Sequence, residues 1–169
     1  MVNDYIRRYR PQADADAEFI KAQPSLRDAV GIAANCVLPN GKRHPHQYRI
    51  PHASLAEARS RLLALDLAKC RSFEELHDEA EEAIGDIHMI GPLVLYDVSQ
   101  RIGAHLGLKP NLVYLHSGTR DGARALGLGR GRKTLEISEL PRELHRLSAA
   151  EAEDFLCIYK AELARLARI

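Results

Sequence analysis

The chain has no tryptophan and only three cysteines, Cys36, Cys70 and Cys157, which form no CxxC pair. Cysteines this few and this widely spaced exclude a disulfide-stabilised scaffold and a zinc-finger array, and they predict free thiols in a cytoplasmic protein. No apolar run approaches the roughly 20 residues that a membrane span needs, so we expect no contact with a membrane. The N-terminal residues MVNDYIRRYR lack the apolar stretch of a signal peptide.

A large net charge is also absent, since the formal total over 169 residues is +1. The charge is nevertheless unevenly distributed. From Glu74 to Asp86 there are seven carboxylates and no lysine or arginine. From Val98 to Thr134 there are seven lysines and arginines and one carboxylate, Asp121. This asymmetry predicts a localised anion-binding face. The alternative is that folding mixes the two stretches again.

The pattern of apolar residues is helical nearly throughout, and no internal repeat is visible. Serine followed three residues later by glutamate predicts a helix start at three places, which are Ser54/Glu57, Ser72/Glu75 and Ser148/Glu151. Residues 42–52 are the least helical part. We therefore predict an all-α, compact multi-helix domain over residues 1–169, with residues 1–70 forming N-terminal helices and a loop of unassigned role.

Residues 83–107 carry the most specific signal. A short apolar connection, Ile87-His-Met-Ile-Gly91-Pro92, precedes a helix with Val94, Leu95, Val98, Ile102 and Leu106 at helical spacing. Pro92 suits the first position of that helix, and Gly107 suits its end. This predicts a helix-hairpin-helix at the centre of the fold, within a core of residues 73–129.

The hairpin resembles that of helix-hairpin-helix DNA-binding proteins, whose connection reads apolar-x-Gly-apolar-Gly. Ile87, Ile90 and Gly91 match this pattern, and Met89 stands where the first glycine is expected. If that position needs a positive φ, Met89 is costly there. The resemblance implies that backbone N–H groups at Gly91 and at the start of the next helix hold a phosphate.

Residues 112–129 are distantly similar to the segment after the hairpin in the helix-hairpin-helix base-excision DNA glycosylases. Val113, His116 and Arg120 resemble its entry, and Arg124 with Leu126-Gly127 resembles its helix end. The catalytic pair of that superfamily is missing, because Leu93 or Pro92 stands at the position of its lysine. His116 stands at the position of its aspartate, and a neutral histidine cannot supply the negative charge.

The sequence thus predicts a non-catalytic DNA-binding protein. The residues expected to contact DNA are Gly91, Pro92, Arg101, Arg120, Arg124, Arg130, Arg132 and Lys133. The last three lie in a glycine-rich basic loop (residues 127–133). Replacing any one of these arginines, or Lys133, should weaken binding to every sequence. It should also lower by about one the number of phosphate contacts inferred from the salt dependence of the affinity.

Two alternatives remain open. A divergent glycosylase or lyase could use His116, Asp97 or Asp121 in new roles. A protein-interaction module could instead present the acidic helix 74–86 to a basic partner. For the helix that carries Arg120, Ser117 or Thr119 is the expected N-cap.

No cofactor and no metal site is predicted. His44, His46 and His52, with Cys36 upstream, are possible metal ligands, but no second cluster of ligand residues at a fixed spacing completes a metal site. A surface loop rich in histidine is the preferred interpretation. Because the same loop holds Lys42, Arg43, Tyr48 and Arg49, a secondary contact with a nucleic-acid backbone is also expected there.

Overall fold

The computed structural model describes residues 1–167, with every side chain among them except that of His46. As predicted, this part of the chain is mostly helical. Its helices are α1 (Val2–Arg8), α2 (Arg10–Lys21), α3 (Leu26–Ala34), α4 (His52–Leu63), α5 (Phe73–Ile84), α6 (Pro92–Leu106), α7 (Ser117–Ala125), α8 (Ala149–Ile158) and α9 (Lys160–Leu166). None of the helices found in residues 1–167 has both the length and the apolar character needed to cross a membrane.

One small antiparallel sheet accompanies the helices described above. Strand β1 (Leu112–Tyr114) pairs with β2 (Thr134–Glu136), so that Val113 lies opposite Leu135. Both of these side chains are buried. The prediction of an all-α chain did not include this sheet, because three-residue strands are too short to show an alternating pattern.

The chain divides into two compact units. The hairpin unit is Ala13–Lys109, and the terminal unit combines Met1–Gln12 with the chain from Pro110 onward. One boundary falls inside α2. The predicted core of residues 73–129 is therefore shared between the units, with α5 and α6 in the first and β1 and α7 in the second.

The hairpin unit is built around α6, which packs against α3 and α5. The side chains of Val94, Leu95, Val98 and Ile102 are buried, as their spacing predicts. Helix α6 begins at Pro92 and ends at Gly107, which adopts a left-handed φ of +75°. Both ends agree with the prediction from the sequence.

In the terminal unit, α7 packs against α8 and α9, and α8 contacts β1. The backbones of α7 and α8 come very close at Gly122. A Cβ atom on this residue would lie 2.2 Å from the carbonyl oxygen of Leu156. Only glycine permits this distance, because a carbonyl of a helix backbone cannot move aside.

The predicted helix starts have mixed outcomes. Ser148 and Glu151 form a complete capping box, as predicted. Ser72 accepts a hydrogen bond from the amide of Glu75, so it is the predicted N-cap of α5. The prediction for Ser54 was wrong, because α4 begins at His52, three residues earlier than an N-cap at Ser54 would place it, and Ser54 is a buried residue inside its first turn. Pro51 sets that start, since it cannot continue a helix in the N-terminal direction.

Candidate nucleic-acid interface

The connection between α5 and α6 is a tight turn (residues 85–91, the hairpin turn). Ile87 and Ile90 are buried in the core of the hairpin unit, and the Ile90 amide donates to the Ile87 carbonyl over 3.0 Å. Between them, Met89 has a φ of +65° and an exposed side chain. The position where the resemblance expects glycine therefore does adopt the left-handed conformation, although methionine occupies it.

The hairpin turn leads directly into the N-terminus of α6. Gly91 is the N-cap with extended backbone (φ −101°, ψ 178°), and Pro92 occupies the first helical position. The first i→i−4 bond of the helix runs from the Leu95 amide to the Gly91 carbonyl. The amides of Gly91, Leu93 and Val94 precede that bond, so they have no acceptor within the helix.

Space around Gly91 is open, because no atom lies within 4 Å of the place where its Cβ would be. A small group can therefore approach the Cα of Gly91 without displacing a side chain. Helix α6 is 15 residues long, and its partial positive charge at this end favours an anion.

The acidic stretch ends inside the hairpin turn and is partly neutralised there. Asp86 lies within the turn, and one of its oxygens lies 2.6 Å from the Arg61 guanidinium. The same guanidinium donates to the Ala83 carbonyl over 3.0 Å. Arg61, which also pairs with Glu57, thus ties α4 to the end of α5 and offsets part of the negative charge of Asp86.

Arg101 and Asp97 lie one turn apart on α6, and both are hydrogen-bonded to Gln47. The Gln47 amide donates to Asp97, and its carbonyl oxygen accepts from Arg101 over 3.3 Å. Gln47 is wholly buried, and Arg101 is half-buried. We therefore expect Arg101 to hold the loop that contains Gln47 and to contribute less to phosphate binding than the sequence predicts.

Cys36 lies beside this pair. It is completely buried and has a φ of +57°. Burial raises the pKa of the Cys36 thiol, and the nearby Arg101 guanidinium opposes that shift. A buried thiol with a raised pKa is a poor nucleophile, so we interpret Cys36 as part of the core.

In the terminal unit, the basic loop (residues 127–133) contains three left-handed glycines. Gly127, Gly129 and Gly131 have φ values of +76°, +76° and +71°. Such a backbone is accessible to glycine at little cost and brings peptide groups close to the surface. The loop ends where the Leu115 amide donates to the Lys133 carbonyl over 2.7 Å, next to the sheet.

The cations around the basic loop differ in their surroundings. Arg120 donates to the Leu115 carbonyl over 2.6 Å, and Arg124 lies 3.2 Å from Asp121. Arg132 makes two hydrogen bonds to the carboxylate of Glu139. The side chains of Arg130 and Lys133 are exposed. Of the predicted set in this unit, Arg130 is the best placed to attract a phosphate.

The three weak catalytic candidates do not form a common site. Asp97 lies in the hairpin unit, bonded to Gln47, while Asp121 is an exposed partner of Arg124. His116 is the N-cap residue of α7, so the expectation that Ser117 or Thr119 would cap this helix was wrong. Ser117 lies inside the helix with a φ of +33°.

His116 belongs to a buried polar group that the sequence did not reveal. Its Nε2 atom lies 3.1 Å from Oε1 of Glu153 on α8, and the Thr119 hydroxyl donates to the same oxygen. His116 is 4% exposed and Glu153 is 7% exposed. Because both are shielded from solvent, we interpret this group as a link that joins α7 to α8. No pattern in the sequence points to Glu153, which lies 37 residues beyond His116.

One group of potential metal ligands occurs among the described side chains. His77, Asp78 and Glu81 offer ligand atoms within 4.8 Å of one another on the half-exposed face of α5. Of the histidines considered from the sequence, His46 has a side chain outside the described part, and both ring nitrogens of His52 face the Arg43 guanidinium at 3.0 and 3.2 Å. A cation at this distance disfavours a metal at His52.

No protein-family model, curated protein or solved structure matches this chain. The resemblance to helix-hairpin-helix proteins therefore rests on the residues named above and on their geometry.

Proposed function

We propose that this chain is a cytoplasmic DNA-binding protein without catalytic activity, which holds one backbone phosphate at the hairpin turn and the N-terminus of α6. The left-handed conformation of Met89 is the observation that carries the proposal most. The DNA-binding hairpins that this turn resembles have glycine at this position, and Met89 adopts the left-handed backbone that suits glycine although it costs a residue with a Cβ about 1–2 kcal/mol. Here it accompanies the open N-terminus at Gly91.

The charges around the hairpin turn support an anionic ligand at this place. The free amides of the first turn of α6 and its dipole attract a phosphate without any charged side chain. Asp86 is compensated by Arg61, so the nearest carboxylate does not oppose the ligand with its full charge. Phosphate contacts of this kind set position and do not read base sequence, which predicts binding of similar strength to unrelated duplexes.

In the terminal unit, Arg130 and Lys133 supply attraction that is general for DNA. Each exposed cation that meets a phosphate releases about one counterion, which makes the affinity fall as salt rises. The paired arginines Arg124 and Arg132 each already have a carboxylate partner. We therefore expect their contribution to binding to be smaller than that of Arg130.

The variant Gly91→Asp tests the hairpin contact. Aspartate is favoured at an N-cap, and the open space at Gly91 accommodates its side chain, so the fold should be retained. Its carboxylate would bond the amides that otherwise hold the phosphate and would repel that phosphate. Fluorescence anisotropy on a labelled 20-base-pair duplex should show a loss of affinity of about tenfold or more.

The control is Ser60→Asp, which adds the same charge to an exposed position of α4. It should change the affinity by no more than about threefold. Equal binding by the Gly91→Asp variant and the wild type would show that the hairpin turn does not contact DNA. If the wild type binds no duplex at low salt, the proposal as a whole is wrong. Recovery of a nuclease-resistant complex with a basic protein would then favour the acidic face of α5 as an interaction surface.

A further inference from the structure

A loop of the hairpin unit presents an exposed aromatic ring among positive charges. We call residues 42–52, with the sequence KRHPHQYRIPH, the cationic loop, since it contains Lys42, Arg43 and Arg49 and no carboxylate. Tyr48 lies at its tip and is 60% exposed, the largest exposure among the large apolar side chains of the described residues. An exposed aromatic ring beside cations is the arrangement on which unpaired bases stack in proteins that bind single strands.

The cationic loop is held firmly in place. Gln47, the neighbour of Tyr48, is wholly buried and bonded to Asp97 and Arg101 of α6. On the other side of Tyr48, Ile50 is buried in the core. The residues flanking the ring are therefore anchored, and the ring itself is presented outward.

Arg43 braces the same turn from within. Its guanidinium donates to the carbonyls of Tyr48 and Ile50 over 3.3 and 2.9 Å. These bonds hold the backbone on both sides of Arg49 and leave less conformational entropy to be lost when the loop meets a ligand. A loop that is ordered in advance binds more tightly for the same contacts.

Arg49 orients the ring of Tyr48. Its Nε donates to the Tyr48 hydroxyl over 3.0 Å, and its guanidinium carbon lies 5.5 Å from the ring centroid. One face of the ring is thus occupied by a cation. The combination of an oriented aromatic face with adjacent guanidinium groups matches what an unpaired nucleotide offers, namely a flat base and a phosphate.

We infer that Tyr48 stacks on an unpaired base of DNA, while Arg49 and Lys42 attract the neighbouring phosphates. This inference rests on the proposed function, and it adds a preference for DNA that contains an unpaired base, such as a bulge. In an intact duplex each base is already stacked between its neighbours, so the ring would gain little there. An unpaired base has a free face, and stacking on an aromatic side chain stabilises it.

The test uses 2-aminopurine as the unpaired base of a bulged duplex, because stacking quenches its fluorescence. The wild type should quench the probe and should bind the bulged duplex about tenfold more tightly than the matched intact duplex. Tyr48→Phe keeps the ring and should keep the quenching and most of this preference. Tyr48→Leu keeps apolar bulk without a π face, so it should lose both.

The result separates the two proposals. Tyr48→Leu should bind the intact duplex as the wild type does, whereas Gly91→Asp should weaken binding to both duplexes. If Tyr48→Leu quenches the probe as well as the wild type, or if the wild type has no preference for the bulge, the stacking inference is wrong while the hairpin contact stands. Absence of binding to either duplex would overturn both proposals. Because Tyr48 is exposed, its variants should melt within a few degrees of the wild type, as circular dichroism can verify.

Discussion

Met89 combines an exposed side chain with a left-handed backbone at the centre of the hairpin turn. For a residue with a Cβ this conformation costs about 1–2 kcal/mol, and glycine adopts it freely at the expense of a more flexible unfolded chain. We therefore expect Met89→Gly to be more stable than Met89→Ala by about 1 kcal/mol. The comparison uses two truncations, so loss of the methionine side chain affects both equally.

Urea denaturation of these two variants measures the difference. An alanine variant as stable as the glycine variant would contradict the assigned backbone conformation, because alanine is otherwise the better residue in a structured segment.

Arg101 and Arg130 are both arginines that the sequence assigns to DNA, and the structure gives them different surroundings. Arg101 is bonded to buried Gln47, whereas Arg130 is exposed. Arg101→Gln should lower the free energy of unfolding by about 1–3 kcal/mol and leave the salt dependence of DNA binding unchanged. Arg130→Gln should lower the salt dependence by about one phosphate contact, with a change in stability of no more than about 0.5 kcal/mol.

Denaturation and binding titrations at several salt concentrations separate these effects. A reduced salt dependence for Arg101→Gln, without any loss of stability, would restore Arg101 to the DNA contacts and remove its role in holding the loop.

At the scale of single residues, the sequence predicted the residues at helix ends better than it predicted long-range hydrogen-bond partners. It placed Gly91 and Pro92 correctly at the start of α6, because N-cap and first-turn preferences are local. It gave no sign that Gln47 would insert between Asp97 and Arg101, 50 and 54 residues away. Such contacts depend on how the chain packs, and no sequence pattern predicts them for a single glutamine in a loop.

Among the elements, the contact between α7 and α8 depends on one small residue. A methyl group at Gly122 would lie 2.2 Å from the backbone carbonyl of Leu156. Gly122→Ala should therefore destabilise the protein by about 1–3 kcal/mol or more through overpacking. Gly91→Ala is the matched control, since no atom lies within 4 Å of its added Cβ, and it should cost about 1 kcal/mol or less.

Thermal unfolding followed by circular dichroism compares these glycine variants. If Gly122→Ala melts at or above the temperature of Gly91→Ala, the two helices do not approach each other as closely as described.

The capping serines provide a second test at this scale. Ser148 bonds the amide of Glu151 at the start of α8, so Ser148→Ala should cost about 1 kcal/mol. Ser54 lies inside α4, where alanine has the higher helix propensity. Ser54→Ala should then be neutral or stabilising. Equal losses for the two variants, measured by urea denaturation, would indicate that Ser54 caps its helix after all.

Helices were the most predictable elements of this chain. The stripes of α5 and α6 have strong periodicity and clear ends, so their existence and buried faces followed from the sequence. The start of α4 did not, because the serine–glutamate spacing that marks a capping box also occurs by chance inside a helix. Sheet β1–β2 was missed since its two strands are three residues each and lie 20 residues apart.

At the scale of the whole molecule, the predicted core of residues 73–129 spans a boundary between two compact units. The hairpin unit contains Gly91, Pro92 and Arg101, and the terminal unit contains the other predicted DNA contacts. A charge count along the sequence takes neighbouring residues together. In the fold, the same residues are divided between two units and have different ion-pair partners. Arg132 illustrates the difference, because it pairs with Glu139, which lies outside the basic stretch 98–134. Arg124 instead pairs with Asp121, three residues away on the same helix.

The hairpin unit has two surfaces that suit different partners. The exposed carboxylates of α5 suit a basic protein, whereas the amides at the start of α6 suit a phosphate. Most carboxylates of α5 are exposed to solvent, and the pairing of Asp86 with Arg61 lowers the negative charge of the hairpin turn.

The most direct test is an NMR titration of the 15N-labelled protein with a short intact duplex. The account predicts that the largest amide shift changes occur at Gly91, Leu93 and Val94, because these groups would donate to the phosphate, and that the changes reverse when salt is raised. Changes confined to the acidic face of α5, or an absence of change at all three amides while the duplex binds, would contradict the claim that the hairpin turn holds DNA.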